Sequence, residues 1–369
     1  MSISNGKLKI LMTGPNPAAP GGISTSVRCF LSFSQNSNFT IYHYLTGKPI
    51  TQSDTIFKYL RRNLYQFYMF FIKLLGTNFS LVHIHTSSWG GFWRTSLYVL
   101  ACKIRNIPVT LHVHGAEFKT FLLDNSFIKK RLILEILKVA NGLIVLSSAW
   151  QKFFSFVVPN QNIFVLENMV DVPDTRVKYD NYKVINFLFL GGLTKRKGLQ
   201  ELVKVIPRFS NRKDINFTIA GFTVPSEKEL RLKIEELANN PKTSKIVNFL
   251  PDISEKEKID LLLSSHVYIL QSFDEGLPFS LLEAMSYGLP TITTPVGAIP
   301  EFIEDYTNGF LIGPGDYNAL ESKINYFLSN HVTIEKMGKS NVNLIKDKFG
   351  LSRLKNKIEK IYIELSYDH

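Results

Sequence analysis

Short runs of β-branched and aromatic residues alternate along the chain with longer stretches whose apolar positions recur every three to four residues. This is how strand–helix–strand units and parallel sheets read in a sequence. Candidate strands are Lys9–Met12, Thr40–Tyr44, Leu81–His85, Val109–Val113, Gly142–Leu146 and Ile163–Leu166. After a polar stretch from Asp171 to Tyr182 they resume at Asn186–Leu190, Asn216–Ile219, Ile246–Phe249, Val267–Leu270, Thr291–Thr293 and Gly309–Leu311. Helical periodicity is expected over Ile128–Ala140, Gly198–Phe209, Ser226–Asn239, Glu255–Ser264, Pro278–Tyr287 and Tyr317–Leu328. A last amphipathic helix pattern runs from Asn343 to Tyr367 with no strand after it. The pattern predicts two doubly wound α/β domains, each with a parallel sheet covered on both faces. The expected division is 1–170 and 171–345, with residues 346–369 forming a helix that packs back on the first domain. A ligand held across the C-terminal ends of both sheets would suit such a pair.

A chain of 369 residues agrees with two domains, since about 150 residues per domain is ordinary. Hydrophobic residues at 45% and charged ones at 20% exclude disorder, collagen and coiled coil. Two cysteines, Cys29 and Cys102, cannot form a disulfide framework, so a reducing compartment is the expectation. The first residues show no apolar h-region and no small-residue cleavage site. The greasiest stretch, Phe67 to Leu75, is interrupted by Lys73 and falls short of the ~20 residues of a spanning helix. Charge changes the picture more. Residues 1–170 carry 17 Lys/Arg against 5 Asp/Glu, whereas residues 171–369 carry 26 of each, so the whole excess of +12 sits in the first half. An anionic partner for that half, either nucleic acid or an anionic bilayer, stands beside the plain reading of a basic, solubilising surface.

Unusual residues gather at predicted strand ends. After the first strand, Gly21-Gly22 precede a helix expected to begin at Ser24 or Thr25, and they form either a simple turn or an anion-binding loop. The spacing is not G-x-G-x-x-G. Thr46-Gly47-Lys48 stands where a dinucleotide-binding acid would follow the second strand, which weighs against a dinucleotide cofactor. His83 and His85 alternate on the third strand, and His112 and His114 on the fourth. These pairs lack cysteine or carboxylate ligands at suitable spacing, and Glu117 alone does not complete a site, so no metal is expected. His83 and His112 read as packed residues. His114, beside Gly115 at a strand end, reads as a ligand contact. Lys195-Arg196-Lys197 occupy a strand–helix turn, where three cations repel one another unless solvent or a polyanion such as a diphosphate compensates. Glu275 ends a strand, Gly276 and Pro278 open a helix, and Glu283 lies eight residues on, about two turns into that helix. The free N–H groups between the two carboxylates form an anion seat, with one carboxylate on each side for the sugars of a sugar nucleotide.

The second half thereby resembles the nucleotide-sugar-binding domain of the family 4 retaining glycosyltransferases, which have the two-domain GT-B fold. The resemblance rests on the E-x7-E signature Glu275 to Glu283, followed by Ala284-Met285-Ser286-Tyr287-Gly288-Leu289-Pro290, Pro295-Val296-Gly297 and Pro300-Glu301. The Gly191–Gly198 turn, Asn308-Gly309-Phe310-Leu311 and the Gly21-Gly22 loop also fit, in motif order over nearly the whole chain. The resemblance implies that Glu275 holds donor-sugar hydroxyls and Glu283 the ribose. It implies that the N–H groups of Phe279 and Ser280, with Lys197, hold the diphosphate, that Gly21 and Gly22 close on it from the opposite side, and that His114 contacts the sugar near its anomeric carbon. The family places an arginine where Gly192 stands here, so Arg196 is the substitute cation nearby.

Transfer with retained configuration is what the resemblance implies, and metal independence is the expectation. Asp274 and Glu275 are adjacent, so no Asp-x-Asp is available, and Lys197, Arg196 and the helix N-terminus supply positive charge in its place. The expected partners are a nucleoside-diphosphate sugar, a glycan or lipid-linked acceptor bound by the first half, and an anionic membrane surface, with no nucleic acid. The location expected is cytoplasmic and peripherally membrane-associated. The run Lys58 to Lys73, with cations beside dense aromatic residues, suits an interfacial segment as well as it suits a buried helix with snorkelling cations. The alternatives are a nucleotide-sugar epimerase or hydrolase or a glycan phosphorylase on the same fold, an inactive sugar-nucleotide-binding homologue, and a nucleic-acid-binding protein.

Overall fold

The computed structural model describes residues 7–34, 37–47, 56–177, 179 and 183–367; Lys48 and part of the Asp171–Tyr182 stretch lie outside them. The chain divides into two compact units, Met1–Asn168 with Leu351–His369, and Met169–Gly350.

The first unit is built on six parallel strands: β1 (Leu8–Gly14), β2 (Phe39–Leu45), β3 (Leu81–Thr86), β4 (Val109–Val113), β5 (Gly142–Val145) and β6 (Ile163–Val165). They lie in the order β2-β1-β3-β4-β5-β6. β3, β4 and β5 are buried along their whole length, which is why they read as unbroken apolar runs. The core between sheet and helices is rich in aromatic rings. Phe92 is fully buried and meets Trp93, Phe118 and Phe121. Truncating such a ring costs about 3–5 kcal/mol. Cys102 lies in the same core, and burial pushes its thiol well above the ordinary cysteine value.

The second unit repeats the architecture with β7 (Ile185–Leu190), β8 (Ile215–Gly221), β9 (Val247–Pro251), β10 (Val267–Leu270), β11 (Thr291–Thr293) and β12 (Gly309–Leu311). Their order is β12-β11-β10-β7-β8-β9, again all parallel. Strand order reverses between β1 and β3 in one unit and between β7 and β10 in the other. At such a switch point the loops leaving the two strands diverge and open a crevice at their C-terminal ends.

Two helices differ from the periodicity. The stretch expected as one helix from Gly198 to Phe209 is an α-helix over Leu199–Val205 and a 3-10 turn over Ile206–Phe209, because Pro207 has no N–H to continue the α pattern. The stretch from Asn343 to Tyr367 is not a single helix. A helix over His331–Leu344 widens into a π turn at Ile345–Phe349, breaks at Gly350, and a new helix runs from Leu351 to Tyr367. Phe349 is buried against Phe302, and Gly350 bridges to Val170, so residues 346–350 pack with the second unit. The final helix packs in the first unit, where the Tyr362 hydroxyl lies 2.6 Å from His83 Nδ1, Asn38 N–H donates to Glu359, and Lys357 pairs with Glu167. Among the described residues, no helix is long and apolar enough to cross a membrane.

Candidate active site

The second unit assembles a charged site on both sides of its switch point. After β7, Lys195–Lys197 form one tight turn that closes at Gly198, in the left-handed region at φ 72°. A Cβ at residue 198 would fall 1.9 Å from the Gln271 carbonyl oxygen, so only glycine lets this turn press against the end of β10. The Phe273 N–H donates to the Arg196 carbonyl at 2.8 Å and fixes that contact. Lys197 Nζ thereby reaches the Glu275 carboxylate, and the two form a nearly buried ion pair. The fully buried Ser272 donates its hydroxyl to the same Oε1 at 2.7 Å. A buried pair of this kind is stable only when both partners are present, since removing one strands the other's charge.

Around the pair the loop is held by backbone bonds. Ala298 N–H donates to the Gly276 carbonyl at 2.8 Å, and Thr294 Oγ1 donates to the Ser272 carbonyl at 2.5 Å. The helix Phe279–Ser286 then begins behind Pro278 with no side-chain cap, leaving its first N–H groups without helical partners. Phe279 is buried and anchors the start. The Tyr268 hydroxyl lies 2.9 Å from the Leu190 carbonyl and 2.8 Å from Ser280 Oγ; donating to the carbonyl, it accepts from the serine. Burial pushes the Tyr268 phenol far above its ordinary value, so it stays neutral. Farther along the helix, Glu283 pairs with Lys258 at 2.8 Å, and Lys258 also meets Glu255 at 2.7 Å. Burial pulls the Lys258 ammonium down, but the two carboxylates outweigh it and hold its pKa above the usual lysine value.

The structure therefore joins Lys197 and Glu275 directly, and places Phe279, Ser280 and Glu283 along the following helix. Arg196 is turned differently: it is exposed, and Nη1 donates to the Asp274 carbonyl at 2.5 Å. Gly192 is buried, and a Cβ there would meet the Phe222 ring at 2.8 Å. Phe222 thus occupies the space a longer side chain at 192 would need. Ser272, Tyr268 and Lys258 were not picked out from the sequence. Ser272 had the signal of adjoining Glu275, whereas Lys258 acts across 25 residues and is found only in the fold.

In the first unit, Gly21 has φ +123° and open space where a side chain would be, and Gly22 is the first residue of the helix Gly22–Ser34, ahead of the expected start at Ser24 or Thr25. The β3–β4 register sets His85 beside His112. Four imidazoles form a hydrogen-bonded stack, with His83 Nε2 at 3.2 Å from His112 Nδ1 and His85 Nδ1 at 2.8 Å from His114 Nε2. Phe30 presents its edge to His83, His85 and His112. One ring nitrogen from each of these three histidines falls within 4.8 Å of the others, the spacing of a loose triad. Two of the triad's rings are already tied elsewhere, His83 to Tyr362 and His85 to His114. Burial keeps the whole stack neutral: His83 and His114 are lowered to about 3, and His85 and His112 fall well below 6.5, helped by their neighbours' charge. His43, on β2, was not singled out from the sequence; it bonds the Gly14 carbonyl at 3.3 Å and is lowered by burial.

Residues 173–343 match the family model described as Glycosyl transferases group 1. The chain is similar to the UDP-Gal:alpha-D-GlcNAc-diphosphoundecaprenol alpha-1,3-galactosyltransferase of Escherichia coli, 26% identical over 309 residues, 78% of this chain and 76% of that one. Its fold is similar to that of a sucrose-phosphate synthase from Thermosynechococcus elongatus, with TM-score 0.80, 16% identity, and 97% and 99% of the two chains covered. It is also similar to HepE of Anabaena solved in complex with UDP, with TM-score 0.74, 14% identity, and 97% and 100% covered. The architecture is the GT-B fold. The chain is a glycosyltransferase of the hexosyltransferase type.

Proposed function

We propose that the protein transfers a hexosyl group from a nucleoside-diphosphate sugar to a hydroxyl of a glycan or lipid-linked acceptor, with retained configuration and without a metal, in polysaccharide or glycolipid biosynthesis. The observation that carries this is the Lys197–Glu275 pair set beside the uncapped helix start at Phe279. The free N–H groups of Phe279 and Ser280 and the Lys197 ammonium receive the diphosphate, while Glu275 holds donor-sugar hydroxyls and Glu283 the ribose. The resemblance adds the backbone of Gly21 and Gly22 to the diphosphate's contacts, and Gly21 has open space where a side chain would be. UDP in the HepE complex supports a nucleotide of this class as donor.

In the reaction the bond from the anomeric carbon to the diphosphate breaks, and its electron pair passes to the departing phosphate oxygen. The acceptor oxygen bonds to the same face of that carbon and gives its proton to the departing phosphate. Lys197 and the helix N-terminus stabilise the leaving charge in place of a metal, a role preorganised donors fill well. Arg196 adds charge at the mouth of the site. The resemblance assigns His114, neutral and held through Nε2 by His85, the contact to the sugar near its anomeric carbon. The diphosphoundecaprenol-linked acceptor named for the Escherichia coli relative supports a lipid-linked acceptor. The test is a panel of sugar nucleotides screened by thermal shift, followed by transfer assays with and without EDTA. A stabilising donor and EDTA-resistant transfer are expected; a strict metal requirement contradicts the mechanism.

A further inference from the structure

The helix Ile56–Gly76 carries two apolar stripes where one would suffice. Phe70 and Leu74 are buried in the first unit's core, with Phe67 and Phe71 packed against it. Leu60, Leu64, Tyr68 and Ile72, spaced every fourth residue, form a second stripe that faces out, with Leu64 64% and Phe57 75% exposed. A globular helix ordinarily turns polar residues to solvent on that side.

The exposure continues onto its neighbours. The helix Gly90–Ile104 packs beside it and exposes Leu97, Leu100 and Ile104; the helix Phe127–Val139 packs beside that one and exposes Phe127, Ile128 and Leu132. Side by side the three make one helical layer, consistent with right-handed crossovers that put consecutive helices on one face of the sheet. Their residues include ten Lys or Arg, and Glu135 is the single acid. Lys58, Arg62 and Lys73 lie along one flank of the outward stripe of the first helix, by a turn of 100° per residue.

We propose that this three-helix face of the first unit docks on an anionic lipid bilayer. Exposed leucine and isoleucine gain from entering the acyl boundary, while the interspersed cations remain at the level of anionic headgroups. A nucleic acid would use the cations and waste the aliphatic stripe. A second copy would bring ten like charges against ten. The inference deepens the lipid-linked acceptor reading, and it is tested without donor or acceptor.

Sedimentation with vesicles of phosphatidylcholine and phosphatidylglycerol in equal parts is the experiment, at low salt and after adding concentrated sodium chloride. Binding at low salt, release by salt and little binding to phosphatidylcholine alone are expected. Two double variants, Leu64→Ser with Ile72→Ser and Lys58→Glu with Arg61→Glu, should each lower the partition coefficient about tenfold or more. All four positions are exposed, so unchanged thermal melting should accompany the loss. No binding at low salt, equal binding to neutral vesicles, or wild-type binding by both variants overturns the proposal. So does a salt-stable dimer in sedimentation velocity that Leu64→Ser with Ile72→Ser dissolves. Donor binding measured on the same samples separates the two readings: donor binding without vesicle binding sinks only the membrane face, and the converse sinks only the glycosyl-transfer reading.

Discussion

The two units share a doubly wound parallel sheet, yet their strand ends are furnished oppositely. In the second, an ammonium and a carboxylate meet where β7 and β10 part, with Lys258 and Glu283 paired nearby. In the first, the C-terminal halves of β3 and β4 lead into four imidazoles that burial keeps uncharged. The same topology thus supports fixed charge in one unit and neutral hydrogen-bonding groups in the other. What differs is the partner each polar group is given. Fixed charge suits a diphosphate, whose own charge varies little in the working pH range. Neutral donors and acceptors suit sugar hydroxyls, which a charged imidazole would bind less selectively.

The largest effect should come from breaking the charged side. Glu275→Gln should lower transfer by about 10²–10³-fold, the range for one preorganised polar group. Lys197→Ala should act similarly on rate and also destabilise the fold, because it leaves the Glu275 charge nearly buried and unpaired. The double variant Lys197→Met with Glu275→Gln should recover the stability and not the activity. Thermal melts and initial rates on the four proteins separate the two roles; recovery of both would assign the pair to packing alone.

The neutral side should respond to pH in folding. A histidine whose folded pKa lies below its unfolded value of about 6.5 takes up its proton first in the unfolded chain. Stability is therefore complete above that pH and is lost as pH falls from about 6.5 towards 3, by up to about 1.4 kcal/mol per pH unit for each such group. Denaturant midpoints at a series of pH values check this. A flat profile from pH 7 to 5 would mean that the stack already shares protons. Removing one member of that network, His85→Phe, should make the acid limb shallower and, by releasing His114, weaken the donor-sugar contact.

A smaller effect concerns the turn after β7, where Gly192 stands at the position for which the family resemblance implies an arginine. Gly192→Arg should cost about 1–3 kcal/mol through overpacking against Phe222, and adding Phe222→Ala should return most of it. Melting temperatures of wild type and the two variants suffice. A neutral Gly192→Arg would show that the Phe222 ring yields easily. The smallest change is expected from Lys258→Met. It releases Glu283 and should raise the donor's KM several-fold with little change in kcat, the pattern of lost uniform binding.

Much of this division was readable beforehand. The twelve strands of the described residues lie where the apolar runs fall, and the signal is most continuous for those buried along their whole length, such as β3, β4 and β5. Glu275 and Lys197 were readable because strand ends of an open α/β sheet are where ligands bind. Their contact was not, since it joins residues 78 apart. Helix ends were less legible: Pro207 converts the end of one helix to a tighter turn, and Gly350 breaks another. The Lys58–Lys73 run was visible as composition, but an aromatic helix with two apolar stripes does not announce which one the core takes. Only the burial of Phe70 and Leu74 against the exposure of Leu64 and Tyr68 decides it.

The central claim is that the charged end of the second unit's sheet holds a sugar nucleotide's diphosphate through Lys197. Thermal shift with the best donor of the panel, on wild type and on the double variant Lys197→Met with Glu275→Gln, tests it most directly. Wild type at 100 times its Kd should gain about 2.7 kcal/mol, and the double variant, stably folded, should gain almost nothing at the same concentration. An equal gain in both proteins would contradict the account.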